Sequence, residues 1–279
     1  MTSLPTLTST KNPLVQRAIK LHHASGRKKE AAFLLEGHNA IEQALKHPTQ
    51  WQLTHIFIPE HKTPPTTDAM IQPVNDSVLK AIGTTSSAPP IAAIAVRPSD
   101  FTPWHWTHLT TTTPRFFILD NLQDPGNVGT LIRSANAFGL DAILLTGNSA
   151  DPFSPKTIRS SAGHSLSTPL YHTQNSLIDT LTELAKQLPH QPSLNLWGTC
   201  GERTPENEPA RLLSPDLFPS HQGHAILLGN EGQGLPIKAL SKSALPIQWL
   251  TIPTQNVESL NVAISGSIIG YVLASNPPS

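Results

Sequence analysis

The sequence predicts an α/β protein in two parts, a small unit over residues 1–98 and a larger domain with a mainly parallel sheet over residues 115–279. Three observations predict it. Short apolar runs of strand length alternate with segments whose apolar residues recur every three to four positions, the pattern of strands alternating with helices. The runs of the second part, such as RFFIL (115–119) and AILL (142–145), are nearly unbroken, as strands buried on both faces are. Between the parts, residues 99–114 (SDFTPWHWTHLTTTTP) are rich in Thr, Trp and Pro without a helical period, and read as a linker.

Each element has its own warrant. Asn12-Pro13 is a helix start, Asn as cap and Pro in the first turn. Leu14, Ala18 and Leu21 follow at helical spacing. Ala31–Leu35 is a strand-type run, and Ile41, Ala44 and Leu45 return to helical spacing. His55–Ile58 and Ile91–Val96 read as strands, with a short helix at Val78–Ile82. In the second part, Arg115–Leu119 is a strand. A helix follows, with Val128, Leu131, Ile132 and Ala135 on one stripe and Gly139 as its C-terminal cap. Ala142–Leu145, Leu194–Gly198, Ala225–Leu228 and Ile247–Ile252 are strands, and Ser176–Leu188 and Leu260–Ala274 are helices. Residues 201–223, polar and Pro-rich, read as a long surface loop.

The totals exclude some classes. Charged residues make up 14% and the formal net charge is zero, so the charge signature of disorder is missing. The charge is unevenly placed: residues 1–98 hold ten Lys/Arg against six Asp/Glu, and residues 99–279 nine against thirteen. A basic first part can supply phosphate contacts, with Arg27, Lys28 and Lys29 as candidates, or these three can be a solvated loop. Cys200 is the only cysteine, which leaves no internal disulfide and no cysteine-rich zinc site. The N-terminal residues lack a secretory apolar run, and the longest apolar stretch, Val262–Leu273, is shorter than the ~20 residues of a membrane span. A cytoplasmic protein with no metal and no membrane association is expected.

Three loops after strands carry unusual composition, where open α/β sheets bind ligands. In DNLQDPGNVGTLIR (120–133), Gly126 and Gly129 permit close backbone approach, Asn127 can cap the following helix, and Arg133 lies off its apolar stripe. In LGNEGQGL (228–235), three glycines suggest a backbone cradle, and Glu231 is either a working carboxylate or a turn residue. This is neither the dinucleotide fingerprint nor a Walker motif. In IPTQNVESLN (252–261), Ser259 and Asn261 stand at a helix start, where a ligand can dock or Ser259 can simply cap the helix. The last helix also presents Ala263, Gly266, Ser267, Gly270 and Ala274 at spacings that admit a close helix, from this chain or a second copy.

Taken in order, NVGTLIRSANAFG, LLGNEGQGL and IPTQNVESLNVAIS resemble the three motifs of SpoU-type (TrmH family) RNA methyltransferases of the SPOUT superfamily, and FSPKTIRSSAGHSL (153–166) matches a further family stretch. NPLVQ and FLLEGHNAIEQAL resemble the N-terminal substrate-binding domain of the subgroup acting on ribosomal and transfer RNA. The resemblance implies S-adenosylmethionine as cofactor and a ribose 2′-hydroxyl of RNA as acceptor, ribosomal RNA before transfer RNA. It implies a small ribosomal-protein-like RNA-binding fold over 1–98, and over 115–279 a catalytic domain with a deep C-terminal trefoil knot. It also implies a homodimer.

By the same match, Asn127, Arg133, Glu231, Ser259 and Asn261 are the functional polar residues. Gly229, Ile252 and Leu260, with Leu228 and Asn261 beside them, would hold the cofactor. Arg133 is the candidate for electrostatic stabilisation of the attacking oxygen, because a guanidinium rarely gives up its proton. Two rivals stand beside this reading. A non-catalytic RNA-binding assembly factor would have lost polar residues that are all present here, and a generic nucleotide-binding protein would carry the phosphate motifs that are missing.

Overall fold

A computed structural model describes residues 4–96, 111–187, 194–200 and 209–276. The chain forms two units, Met1–Phe101 with Asp151–Ser167, and Thr102–Ala150 with Thr168–Ser279. Most of the linker read at 99–114, with its Trp104 and Trp106, lies outside the described residues.

In the first unit, Asn12 caps α1 (Pro13–Lys20), its side chain accepting from the Leu14 amide at 2.9 Å. There follow α2 (Ala24–Glu30), β1 (Ala32–Glu36), α3 (His38–Lys46), β2 (Gln52–Pro59), β3 (Met70–Val74), α4 (Asp76–Ile82) and β4 (Ala92–Val96). The sheet order is β1-β4-β2-β3, with β4 antiparallel to β1 and β2, and β3 parallel to β2. Alternation along β1 sends Ala32 and Leu34 into a core with Val15, Ala18 and Val78, and Phe33 and Leu35 into one with Ile41 and Ala44. Helices thus cover both faces. The basic run 27–29 is helical, as part of α2, rather than a loop.

The second unit holds β5 (Arg115–Asp120), α5 (Pro125–Ala137), β6 (Ala142–Thr146), β7 (Leu170–His172), α7 (Leu177–Gln187), β8 (Leu194–Thr199), β9 (Arg211–Leu212), β10 (Gly223–Leu228), α8 (Ile237–Leu240), β11 (Ile247–Thr251) and α9 (Val262–Ala274). Its sheet runs β7-β6-β5-β10-β8-β11-β9, and every adjacent pair is parallel. Phe117, Leu119, Ile226 and Leu228 share a core with α5 and α9, while Phe116, Ile118, Ala225 and Leu227 share one with α7 and α8. Gly139 ends α5 in the left-handed conformation (φ 67°), and the Leu140 amide returns to the Ala135 carbonyl at 2.9 Å. This is the Schellman closure expected of a C-terminal glycine.

The stretch read as a surface loop over 201–223 departs from that reading. Residues 201–208 lie outside the described residues, but Arg211–Leu212 is the edge strand β9, and Phe218 is fully buried. Phe218 meets Trp197 edge-on at 5.5 Å. His224 is also fully buried there. Trp197 Nε1 donates to its Nδ1 at 3.2 Å, so the proton sits on Nε2, which donates to the Pro219 carbonyl at 3.1 Å. Burial first, opposed by that carbonyl and reinforced by Arg115 and His221, holds its pKa below the ordinary 6.5. The unfolded chain therefore binds more protons below that value, and stability is lost as pH falls through it. Thermal melts should show a midpoint that falls from pH 7.5 to 5.5, with a flatter slope in His224→Gln; equal slopes would refute this assignment.

Residues 151–167 leave the 115–279 stretch and join the first unit. Phe153, Ile158 and Leu166, all at most 1% exposed, complete the core around Phe33 and Trp51. Trp51 Nε1 donates to the Leu166 carbonyl at 2.7 Å. The Arg159 guanidinium on α6 (Pro155–Ser160) donates to Glu36 Oε1 at 3.2 Å, beside Thr84. Three buried apolar side chains, at roughly 1.5–3 kcal/mol each, hold this excursion in place.

Candidate active site

The carboxyl edge of the parallel sheet gathers the three loops. Asp124, not Asn127, caps α5: Pro125 sets the first helical position, and the Asp124 side chain accepts from the Gly126 amide at 3.0 Å. Asn127 is thereby freed from capping and lies in the first turn. At the other end of the site Asn261, not Ser259, caps α9, its Oδ1 accepting from the amides of Ala263 (2.9 Å) and Ile264 (3.3 Å). The helix accordingly starts at Val262, two residues later than the sequence pattern gives.

These caps fix the orientation of a polar chain across the site. Helix amides only donate, so Asn261 turns its oxygen to them and its Nδ2 outward, where it donates to Asn127 Oδ1 at 3.2 Å. Asn127 must then present its own Nδ2 on the other side, and it donates to Glu231 Oε1 at 3.0 Å. Glu231 Oε1 also accepts from the Asp124 amide at 3.3 Å. Burial pushes the Glu231 carboxyl up, but the donors from Asn127 and from loop amides outweigh it, so its pKa lies below the ordinary carboxylate value. Glu231 stays an anion at neutral pH and anchors the chain Glu231–Asn127–Asn261, which links all three loops.

Glu231 and Asn261, the two ends of this chain, line a cavity of about 580 Å³, in the size range of cofactor sites. Leu228, Gly229, Glu231, Ile252, Ser259, Leu260 and Asn261 all line it, so every candidate cofactor residue falls in one place. Gly229 is required there: a Cβ would lie 2.4 Å from the backbone of Gly234 and Leu235. Sequence reasoning missed Thr199 and Cys200, which line the same cavity from the end of β8. Neither stands out by composition, and only the strand order places β8 beside β10 and β11.

Arg133 and Ser259 lie apart from the polar chain. Ser259 is exposed on the cavity wall and makes no hydrogen bond among the described residues. Arg133 is exposed on α5, makes no hydrogen bond or ion pair among the described residues, and does not line the cavity. The small-residue face of α9 is spent within the chain. A Cβ at Gly266 would lie 2.3 Å from Leu131, Gly270 packs on Phe138 and Phe117, and Ser267 bonds Ser134 at 2.6 Å. The neighbouring face of α9 leaves Ile264, Ile268 and Tyr271 exposed, with Tyr271 edge-on to Phe138 at 5.9 Å.

The basic run of the first unit splits. Arg27 is 4% exposed; its Nε pairs with Asp151 at 2.9 Å, and its Nη1 donates to the carbonyls of Leu21 and His22, both at 3.0 Å. As an RNA contact Arg27 is corrected by this burial, because its guanidinium is committed inside the unit. Lys28 and Lys29 are exposed. No group of three His, Cys, Asp or Glu side chains that could hold a metal occurs among the described residues, and no described helix is long and apolar enough to cross a membrane.

Residues 114–271 match the SpoU rRNA Methylase family, and residues 12–93 match the MRM3-like substrate binding domain. The chain is 30% identical over 270 residues to the 23S rRNA (guanosine(2553)-2′-O)-methyltransferase RlmP of Bacillus subtilis, covering 95% of this chain and 97% of that one. Its fold is shared by the crystal structure of an RNA 2′-O ribose methyltransferase (TM-score 0.77, 24% identity, 98% and 99% of the two chains). It is likewise shared by the SpoU methyltransferase AviRb of Streptomyces viridochromogenes in complex with AdoMet (TM-score 0.77, 22% identity, 95% and 98%). The chain belongs to the SpoU rRNA methylase family.

Proposed function

We propose that the protein transfers a methyl group to a ribose 2′-hydroxyl of ribosomal RNA, with S-adenosylmethionine as donor. The observation that carries this reading is the Glu231–Asn127–Asn261 chain, which ties the three motif loops together beside a cavity lined by the second and third of them. The lining of the cavity suits the cofactor. Backbone groups of the glycine-rich loop crowd one wall so closely that residue 229 has no room for a Cβ, and Ile252 and Leu260 offer apolar cover. Bound there, the cofactor supplies an electrophilic sulfonium methyl. The chain's own residues position the acceptor, and alignment of the two reactants supplies much of the rate. Asn127 and Asn261, fixed by an anion at one end and a helix start at the other, are rigid contacts for the ribose. The guanosine-specific 23S rRNA activity named for the Bacillus subtilis relative supports a ribosomal target. Transfer RNA is the alternative acceptor.

The finer parts of the reading rest on separate supports. The exposed stripe Ile264, Ile268 and Tyr271 beside α5 supports a homodimer through α9. A deep trefoil knot is supported by the return path of the chain: β11 lies outside β8, yet α9 packs on Leu131 and Leu228, back at α5 and β10. Residues 1–98 are read as the RNA-binding part, with Lys28 and Lys29 on phosphate. Arg133, exposed with its charge unspent, is read as the cation that stabilises the attacking oxygen or steadies the RNA there.

The test is methyl transfer from labelled S-adenosylmethionine to ribosomal RNA of cells lacking the protein. Wild type should label a 2′-O-methyl nucleotide, and Arg133→Ala should lower the rate about a hundredfold or more at unchanged cofactor affinity. Cofactor-binding protein that labels neither naked RNA nor ribosomal particles would favour the assembly-factor reading.

A further inference from the structure

A second cavity of about 330 Å³ lies on the other side of the glycine-rich loop, and the active-site chain does not use it. Asn230, Gln233, Gly234 and Leu235 line both cavities, so the loop is their common wall. The alternation of β5 explains what faces the second one. Phe116 and Ile118 point to the α7 side, so Asp120, two residues on, falls there as well.

Asp120 lines this cavity and is only 3% exposed. Its Oδ1 accepts from Thr146 Oγ1 at 2.7 Å and from Asn121 Nδ2 at 3.1 Å. Its Oδ2 has no donor among the described residues. Oδ2 keeps its accessibility at the cavity and is free to accept from a bound group. The walls are apolar and opposed, Leu177 and Ile178 from α7 against Pro236 and Ala239, and Gln233 brings an exposed side-chain amide with no partner among the described residues. The backbone holds this arrangement under strain. Asn121 is in the left-handed region (φ 52°), and its carbonyl accepts from Asn230 Nδ2 at 2.9 Å, tying the end of β5 to the shared loop.

We propose that this cavity is a subsite for a nucleobase carrying an exocyclic amino group, its faces covered by the apolar walls and its amino N–H donated to Asp120. Apolar walls suit a flat heterocycle, the carboxylate accepts an amino group and repels a carbonyl at the same place, and the Gln233 amide can read the rest of the edge. If the proposed function holds, the source is RNA: a strand crossing the carboxyl edge would set its ribose at Asn127 and a neighbouring base beyond the loop. A free nucleoside has the same chemistry and is the other source.

The binding test does not depend on methyl transfer; only the choice between the two sources uses it. The full-length protein is titrated with adenosine against purine riboside, and guanosine against inosine, pairs that differ only by the amino group. In at least one pair the amino-bearing nucleoside should bind roughly tenfold tighter, the worth of one hydrogen bond to a charged group. Asp120→Asn should abolish that preference. Because a buried variant can fail to fold, Ala239→Phe fills the cavity from a partly buried position instead. It should abolish nucleoside binding and leave cofactor affinity unchanged. A raised RNA KM in Ala239→Phe identifies the occupant as an RNA base, and an unchanged KM identifies a free nucleoside. Equal binding within both pairs, or binding indifferent to both substitutions, would overturn the proposal.

Discussion

Replacing Asn127 by alanine should lower methyl transfer to RNA about a hundredfold, with cofactor affinity held within about twofold. Asn127 does not line the large cavity, so the cofactor loses no contact with it. The chain loses its middle link: Glu231 keeps only loop amides, and Asn261 Nδ2 has no acceptor. A positioned polar group at a reacting centre is worth about 10²–10³ in rate. Asn127→Asp separates geometry from charge. Its shape is unchanged, but it sets a carboxylate against Glu231, and two carboxylates on one site raise the pKa of one of them. Activity of that variant should therefore rise as pH falls from 7.5 toward 5.5, when one of the pair takes a proton and restores the donor. Wild type, whose Glu231 is held an anion by its donors, should show no such rise. An Asn127→Ala enzyme with wild-type kcat and KM would remove the polar chain from the mechanism.

The site was legible as a set of loops, and less so as a set of roles. Composition and order singled out the glycines and polar residues after three strands, and the structure links the three loops by one chain of hydrogen bonds and brings the second and third to one cavity. Roles depended on local geometry that a closer reading held in part. The Asn12-Pro13 rule that located α1 applies equally to Asp124-Pro125, so the true cap of α5 was in the sequence. Asn261 over Ser259 was not, since both are good caps and only the path of the loop chooses. Long apolar strands were readable because burial on both faces leaves little freedom in their composition. Met70–Val74, Leu170–His172 and Arg211–Leu212 were missed because short outer strands take their conformation from a neighbour. Pro73 also argued against a strand, and it is tolerated at the sheet edge, where its carbonyl accepts from the Leu7 amide at 2.9 Å.

The largest loss of stability should come from Arg27→Met, about 3–5 kcal/mol, the cost of breaking a buried ion pair from one side. The stem volume is kept, so packing changes little. What is lost is the guanidinium beside Asp151, whose side chain is 21% exposed, and the donor to the carbonyls of Leu21 and His22. Asp151 opens the 151–167 excursion and its Oδ1 also accepts from the Phe153 amide at 2.9 Å. The Asp151 charge, stripped of the guanidinium, is therefore left at the root of the segment that buries Phe153, Ile158 and Leu166. A thermal midpoint lowered by about 10 °C or more is expected, together with early proteolysis within 151–167. Lys28→Ala with Lys29→Ala makes the contrast. Both side chains are exposed, so the midpoint should stay within about 1 °C while RNA affinity falls and the salt dependence of binding flattens by about two phosphate contacts. Nothing in the sequence separates these three cations, because the carboxylate that claims Arg27 lies 124 positions away. If Arg27→Met melted like wild type and lost only RNA affinity, the division of the cluster into one structural and two RNA-facing cations would be wrong.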